Sequence, residues 1–171
     1  MAMNCLATVA LLLAVFADEG EPSPLLFDCA GETGHYRLYG SGEGNFALQI
    51  EAAGQGPTGV STWLLRWTEA RTGYVIGQQG GHQSHLRLTD GRAHYIFFEG
   101  VNGQLSETPG FTYAGIVRVD GSGDSEPVSL ASCEASETNR NLLENVLRER
   151  VDAGLPELAT EDVDGPFDGW F

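Results

Sequence analysis

Lysine is absent. All nine cationic side chains are arginines, set against 24 carboxylates, for a formal net charge of −15. A chain of that sign repels phosphate backbones and anionic lipid surfaces, which argues against nucleic acid and against a charged membrane face as partners. The familiar catalytic signatures are missing as well: CxxC, HExxH and a GxSxG elbow do not occur. There is no Asn-x-Ser/Thr acceptor. No apolar run reaches the roughly 20 residues that a membrane-spanning helix requires.

Cysteine is scarce, and its three positions are informative. The apolar run from Leu6 to Ala17 fits the hydrophobic region of a secretory signal peptide, although only the α-amino group precedes it as a positive charge. Val15 and Ala17 stand at −3 and −1 of a cleavage site, and the acidic "DEGEP" follows. We therefore expect residues 1–17 to be a signal peptide, 18–24 a polar leader, and the protein to be periplasmic or secreted, with a bacterial envelope the simplest compartment. No stable membrane span is expected once the signal is removed. Cys5 leaves with the signal. Cys29 and Cys133 remain, and an even pair in an exported chain reads as a disulfide. It would close a loop of roughly 100 residues, stabilising the fold by up to about 4.7 kcal/mol on loop-entropy grounds.

From Leu25 to Cys133 short β-prone runs alternate with glycine-rich breaks. The expected strands are 25–29, 35–39, 46–51, 60–67, 74–78, 84–89, 92–99, 111–119 and 128–133. Runs of this length with breaks this regular signal an all-β barrel or sandwich. No helical period interrupts them, so an antiparallel meander of eight to nine strands is expected over 25–133, with Cys29 and Cys133 on its first and last strands. In a closed meander those strands are neighbours, which makes the bridge geometrically natural.

After Cys133 the pattern changes. Leu142, Leu143, Val146, Leu147 and Val151 fall at helical spacing, with Ser136 as N-cap and Gly154 and Pro156 as stops. This predicts a C-terminal helix within 134–154, lying on the outside or across an open end of the β unit. Residues 155–171 form an acidic, then aromatic tail. Its Trp170 and Phe171 read as packing groups or a docking peptide.

The most specific local pattern is "SHLRLTDGRAHYIFFEG", residues 84–100. Asp90-Gly91 predicts a two-residue type I′ turn, with Thr89 facing Arg92, Arg87 facing His94 and His85 facing Ile96. Leu86, Leu88, Ala93, Tyr95 and Phe97 then share the core face. His85, Arg87, Thr89, Arg92, His94 and Ile96 share the other. The plain reading of that second row is a solvated sheet face. Contact with an acidic partner is the functional alternative. His85 and His94 as diagonal neighbours are weak candidates for a metal, but no third ligand is evident, so no metal and no cofactor is assigned. Trp63 and Trp67 lie with Leu65 on one strand face and read as core, or as the lining of an apolar ligand pocket. "GQQGGH" reads as a rim loop. As a phosphate cradle it lacks the lysine, the hydroxyl and the following helix.

A β unit opened by "FDC" and closed by "SLASC" in an exported chain resembles the architecture of the small periplasmic inhibitors of C-type lysozyme, over roughly 25–133. That family presents a serine- and lysine-bearing loop. This chain has no lysine and no matching loop, so no residue roles carry over. The sequence favours a non-enzymatic binding or interaction protein of the cell envelope, with an unknown protein or a small apolar ligand as partner. The alternatives are an inhibitor or assembly factor for a cationic wall-active enzyme, or a metal-dependent or carboxylate-based hydrolase. Whether it is an enzyme stays open, with the balance against.

Overall fold

The computed structural model describes residues 23–160, apart from 42–43, 56–58 and 122–124. The expected signal peptide, most of the polar leader and residues 161–171 of the tail lie outside them. The strands are β1 (Leu25–Gly31), β2 (Gly34–Gly40), β3 (Asn45–Ala52), β4 (Val60–Ile76), β5 (His82–Thr89), β6 (Ala93–Val101), β7 (Thr112–Asp120) and β8 (Val128–Glu134). Each pairs antiparallel with the next, in sequence order. The all-β meander expected from the sequence is therefore present, as a nearly closed barrel.

The two-residue period carries the fold. In β2, Tyr36 and Leu38 are buried while His35 and Arg37 on the alternate face are only half-buried. The inward set from successive strands includes Phe27, Leu38, Phe46, Leu48, Leu65, Leu86, Leu88, Phe97 and Ile116, all fully buried. Phe27 and Phe97 meet edge to face from β1 and β6, with ring centroids 5.3 Å apart. Side chains from opposite walls touch, so the interior is packed core.

One strand departs from expectation. The runs 60–67 and 74–78 are not separate strands but the two halves of the 17-residue β4. Its first half pairs with β3 and its second with β5, the change of partner falling between Arg66 and Arg71. "EARTG" looked like a break because of its charges and glycine. It keeps extended backbone because Arg71, Thr72 and Gly73 have ladder partners on β5.

The barrel is closed by side chains. Among the described residues no ladder joins β1 to β8. Instead Cys29 and Cys133 are disulfide-bonded, with Cα atoms 5.8 Å apart. The Thr33 hydroxyl donates to the Leu130 carbonyl at 2.5 Å. The fully buried Asn139 takes both backbone groups of Asp28. Its Oδ1 accepts the Asp28 N–H at 2.9 Å and its Nδ2 donates to the Asp28 carbonyl at 2.7 Å. That amide supplies what a neighbouring strand would have supplied.

Asn139 sits on α1 (Glu137–Arg140), which is followed by α2 (Leu142–Asp152). The expected single helix is thus broken at Asn141, while Ser136 caps it as anticipated, its hydroxyl accepting the Asn139 N–H at 3.2 Å. Leu142 and Val146 are buried in the barrel core, so α2 lies across an open end of the barrel. Leu147 and Val151, expected on the same stripe, are exposed. Gly154, at φ +64°, ends α2, and the Leu155 N–H returns to the Arg150 carbonyl at 2.9 Å. The chain then runs past Trp67, whose Nε1 donates to the Pro156 carbonyl at 3.1 Å. It ends, as described, in β9 (Ala159–Thr160), parallel to β4 at Arg71 and Thr72.

Asn139→Ala leaves a buried donor and a buried acceptor of Asp28 unmet. We expect it to lower the unfolding free energy by about 2–4 kcal/mol with the disulfide intact, read by urea titration. A loss below about 0.5 kcal/mol, the size of a neutral surface change, would show that the seam does not depend on it.

Candidate functional site

The hairpin β5–β6 has a longer turn than expected. Thr89 pairs with His94, Arg87 with Ile96 and His85 with Phe98, so the register is displaced by two residues from the predicted one. Gly91 has φ +87°, but Asp90 is not left-handed, so the turn is not type I′. The Asp90 carboxylate organises it, with Oδ1 accepting the Arg92 and Ala93 N–H groups, each at 2.8 Å. The Thr89 hydroxyl accepts the Gly91 N–H and donates to the Ala93 carbonyl, both at 2.9 Å. Side-chain caps of this kind compete with the two-residue turn and extend the loop. A shift of two preserves the faces, so Leu86, Leu88, Ala93, Tyr95 and Phe97 do point into the core.

The other row is not a wet face. His85 is 2% exposed, Arg87 8%, His94 9% and Ile96 0%. Only Arg92, in the turn, is exposed. β6 and β7 are apolar on both faces through "YIFF" and "GIV". Ile96, Val117 and Val119 form a second apolar cluster outside the barrel, with Phe98 packed on it. Strands buried on both faces lose the alternation that marks a half-wet strand. The imidazole of His85 lies over Gly73 of β4, where a Cβ would have no room. Each of His85, Arg87 and His94 has a partner.

The register also removes the shared metal. Phe98, opposite His85, stands four residues along β6 from His94. The two imidazoles are therefore separated by about 13 Å of strand rise. Arg87 stands between them, its Nη1 2.9 Å from His94 Nδ1. Arginine only donates, so that nitrogen accepts and His94 carries its proton on Nε2. Among the described residues no three His, Cys, Asp or Glu side chains gather as a metal site would require. The tryptophans divide. Trp67 is 5% exposed and stacks on Phe46 at 5.7 Å, whereas Trp63 is 44% exposed on the half of β4 that extends beyond β5.

Two arrangements lay outside the sequence reading. On the outer face of β1–β3, His35 Nε2 contacts Asp28 Oδ1 while Arg37 Nη2 lies 2.6 Å from His35 Nδ1. Arg37 also reaches Glu51 at 3.4 Å. With an arginine donating to the imidazole there is no nucleophile for it to activate, so this is an ion network on a half-wet surface. The second is a cavity of about 300 Å³ at the rim formed by the β4–β5 link (77–81) and the β6–β7 link (102–111). Val75, His82, Gln83, Leu105, Ser106 and Tyr113 line it. Tyr113 donates to Gln83 Oε1 at 3.1 Å, and burial, aided by the Glu99 charge, pushes its phenol pKa up.

The two links brace each other. Gln79 adopts φ 52° and ψ 49°, and its carbonyl accepts the Gln104 N–H at 3.2 Å. Asn102 Nδ2 donates to the Thr108 hydroxyl at 2.8 Å, and the Asn102 N–H reaches the Phe111 carbonyl at 2.9 Å. Around this rim Ile76 and Leu105 are 78% and 68% exposed, and Tyr74 stacks on His82 at 5.6 Å. These residues come from four segments with no shared local pattern. The "GQQGGH" loop was the only sequence signal pointing here.

Comparison of the chain with protein-family models, curated proteins and solved structures finds no match. The resemblance to the lysozyme inhibitors rests on strand pattern and the cysteine pair alone.

Burial pushes the Asp90 carboxyl up, but the Ala93 and Arg92 N–H donors and the Arg118 and Arg92 charges outweigh it and hold its pKa below the usual 3.8. A carboxylate depressed in the native state stabilises the fold above its unfolded value of about 3.9, and that contribution is lost as pH falls through the native value. Asp90→Asn should therefore destabilise the protein near neutrality and by progressively less below about pH 4. Unfolding free energies of both proteins from neutrality into the acid range check this. A difference constant across that range would show that charge is not what Asp90 contributes.

Proposed function

We propose that the protein is an exported, non-enzymatic recognition module that binds a cationic protein of the envelope or its surroundings through the rim around Ile76 and Leu105. The observation that carries this reading is the packed interior. Phe27, Phe46, Phe97 and their leucine neighbours fill the space in which a barrel-type carrier would hold cargo, which moves recognition to the surface. The rim combines exposed apolar side chains with a cavity at the small end of the ligand-pocket range, about 300 Å³. Its polar groups, His82, Gln83 and the Tyr113 hydroxyl, stand beside it. An apolar lining with a few placed hydrogen-bonding groups is the usual composition of a binding pocket.

The net charge of −15 supports a cationic partner, because it draws oppositely charged proteins over long range and raises the association rate. A wall-active hydrolase, which must approach an anionic polymer, is cationic for the same reason, and this reading includes inhibition or escort of such an enzyme. The apolar N-terminal run and the Cys29–Cys133 bridge support export.

Calorimetry against a C-type lysozyme and other cationic wall hydrolases tests the proposal. Binding is expected at low salt and should weaken as salt rises. Ile76→Asp and Leu105→Asp should each weaken it by about tenfold or more, the effect of losing one buried anchor, while leaving the urea midpoint unchanged. Absence of binding to every such enzyme at low salt, or binding indifferent to both substitutions, sinks this reading.

A further inference from the structure

We propose that the first half of β4 is an interaction surface for a second copy of this chain, which adds its own residues 60–64 antiparallel to an open strand edge. β5 joins β4 only from Arg66 onward, where the facing Thr89 is the last residue of β5. Residues 60–65 therefore run past the end of the β5–β6 hairpin, with β3 along one side. Among the described residues no strand lies along the other side. Val60, Ser61, Thr62, Trp63 and Leu64 are all exposed. An uncovered strand edge is a template for pairing with another chain.

The backbone pattern of that edge follows from one contact. The Trp67 N–H donates to the Gly44 carbonyl at 2.9 Å, beside the Asn45–Arg66 pair. Hydrogen bonding alternates along an antiparallel ladder, so Ser61, Trp63 and Leu65 direct their N–H and C=O groups at β3. Val60, Thr62 and Leu64 direct theirs at the open edge. Among the described residues those groups have no backbone partner.

The partner that fits this edge is the same strand. In an antiparallel pair about a twofold axis, facing residues lie on one face of the sheet, so even-numbered residues meet even-numbered ones. An axis through Thr62 sets Thr62 against its own copy and Val60 against Leu64 of the second copy. Those pairs exchange about six N–H···O bonds between them. Val60 and Leu64, exposed in one copy, then cover each other. Charge selects the same occupant. Residues 52–65 carry no charged side chain, within a chain of net charge −15. Two copies meet along this stretch without setting carboxylate against carboxylate, whereas a cationic partner finds no counter-charge on it. Lysine, proline and inward-pointing charges, the usual guards of a strand edge, do not occur within 60–65. The rim at Ile76 lies at the other end of β4, so this pairing leaves it free.

Sedimentation equilibrium of the full chain, from micromolar to millimolar concentration, should show monomer and dimer in exchange. The dimer should tighten as salt rises, because salt screens the repulsion between two copies of net charge −15. That sign is opposite to the one expected for a cationic partner at the rim. Thr62→Pro removes an N–H that faces outward, a change an edge strand tolerates. Leu64→Lys sets a charge against Val60 of the second copy. Each should raise the dimer dissociation constant by about tenfold or more and leave the urea midpoint of the monomer unchanged. Leu64→Lys, which removes no backbone donor, decides the matter if the proline disturbs folding. Ile76→Asp should leave the dimer unchanged. Amide exchange reads the register. In dilute solution the Val60, Thr62 and Leu64 amides should exchange fast and those of Ser61 and Trp63 slowly, and at high concentration the first three should become protected as well. A chain that stays monomeric throughout, or a dimer indifferent to Leu64→Lys, overturns the proposal. So does protection of Thr62 at every concentration, which would mean that the chain's own residues occupy the edge.

Discussion

An eight-strand meander leaves two free edges, and here they meet without a backbone ladder between them. The gap between β1 and β8 is bridged by the Cys29–Cys133 disulfide, by the Thr33 hydroxyl on the Leu130 carbonyl, and by the Asn139 amide on both backbone groups of Asp28. Much else follows from that arrangement. Because Asn139 must face the seam, α1 is fixed there. With α1 held, α2 crosses an open end of the barrel and buries Leu142 and Val146 in the core. The chain leaving α2 is then guided past Trp67 to the free edge of β4. A covalent tie alone would constrain the unfolded chain, whereas the amide satisfies groups that would otherwise be buried and unmet.

The sheet is unusual in having two buried faces over part of its width. Inside, phenylalanine and leucine from opposite walls fill the barrel. Outside β5–β7, Ile96, Val117 and Val119 form a smaller apolar layer flanked by His85, Arg87 and His94. A buried arginine is costly unless its donors are used, and Arg87 meets part of that need through His94 Nδ1. The same region of the chain thus buries side chains on both of its faces. At the rim, by contrast, apolar side chains stay exposed around a small cavity, which is where a partner would gain most by displacing water.

The acidity of the chain acts at two ranges. At a distance its net charge of −15 attracts cations and repels anions, within a screening length of about 10 Å at 0.1 M salt. At contact, its few cations are used locally: Arg37 between Asp28 and Glu51, Arg118 with Asp120, and Arg148 with Glu144. Exposed pairs of this kind contribute little to stability, so they shape the surface more than they hold it.

Local chemistry determined much of the architecture. Alternation placed Leu86, Leu88, Tyr95 and Phe97 inward, glycine-rich breaks marked most of the strands, an even cysteine pair marked the closing strands, and Ser136 and Gly154 marked the helical segment. These signals act within a few residues, so they are written along the chain. What tertiary structure decided depends on segments far apart in sequence. It joined 60–67 and 74–78 into β4, because their partners lie on different strands. It moved the hairpin by two residues, because the Asp90 and Thr89 side chains claimed the turn's backbone groups. It buried the row of His85, Arg87 and His94 beside an apolar outer face of β6 and β7. The rim cavity was hidden for the same reason: the β4–β5 and β6–β7 links meet only once the strands between them have paired.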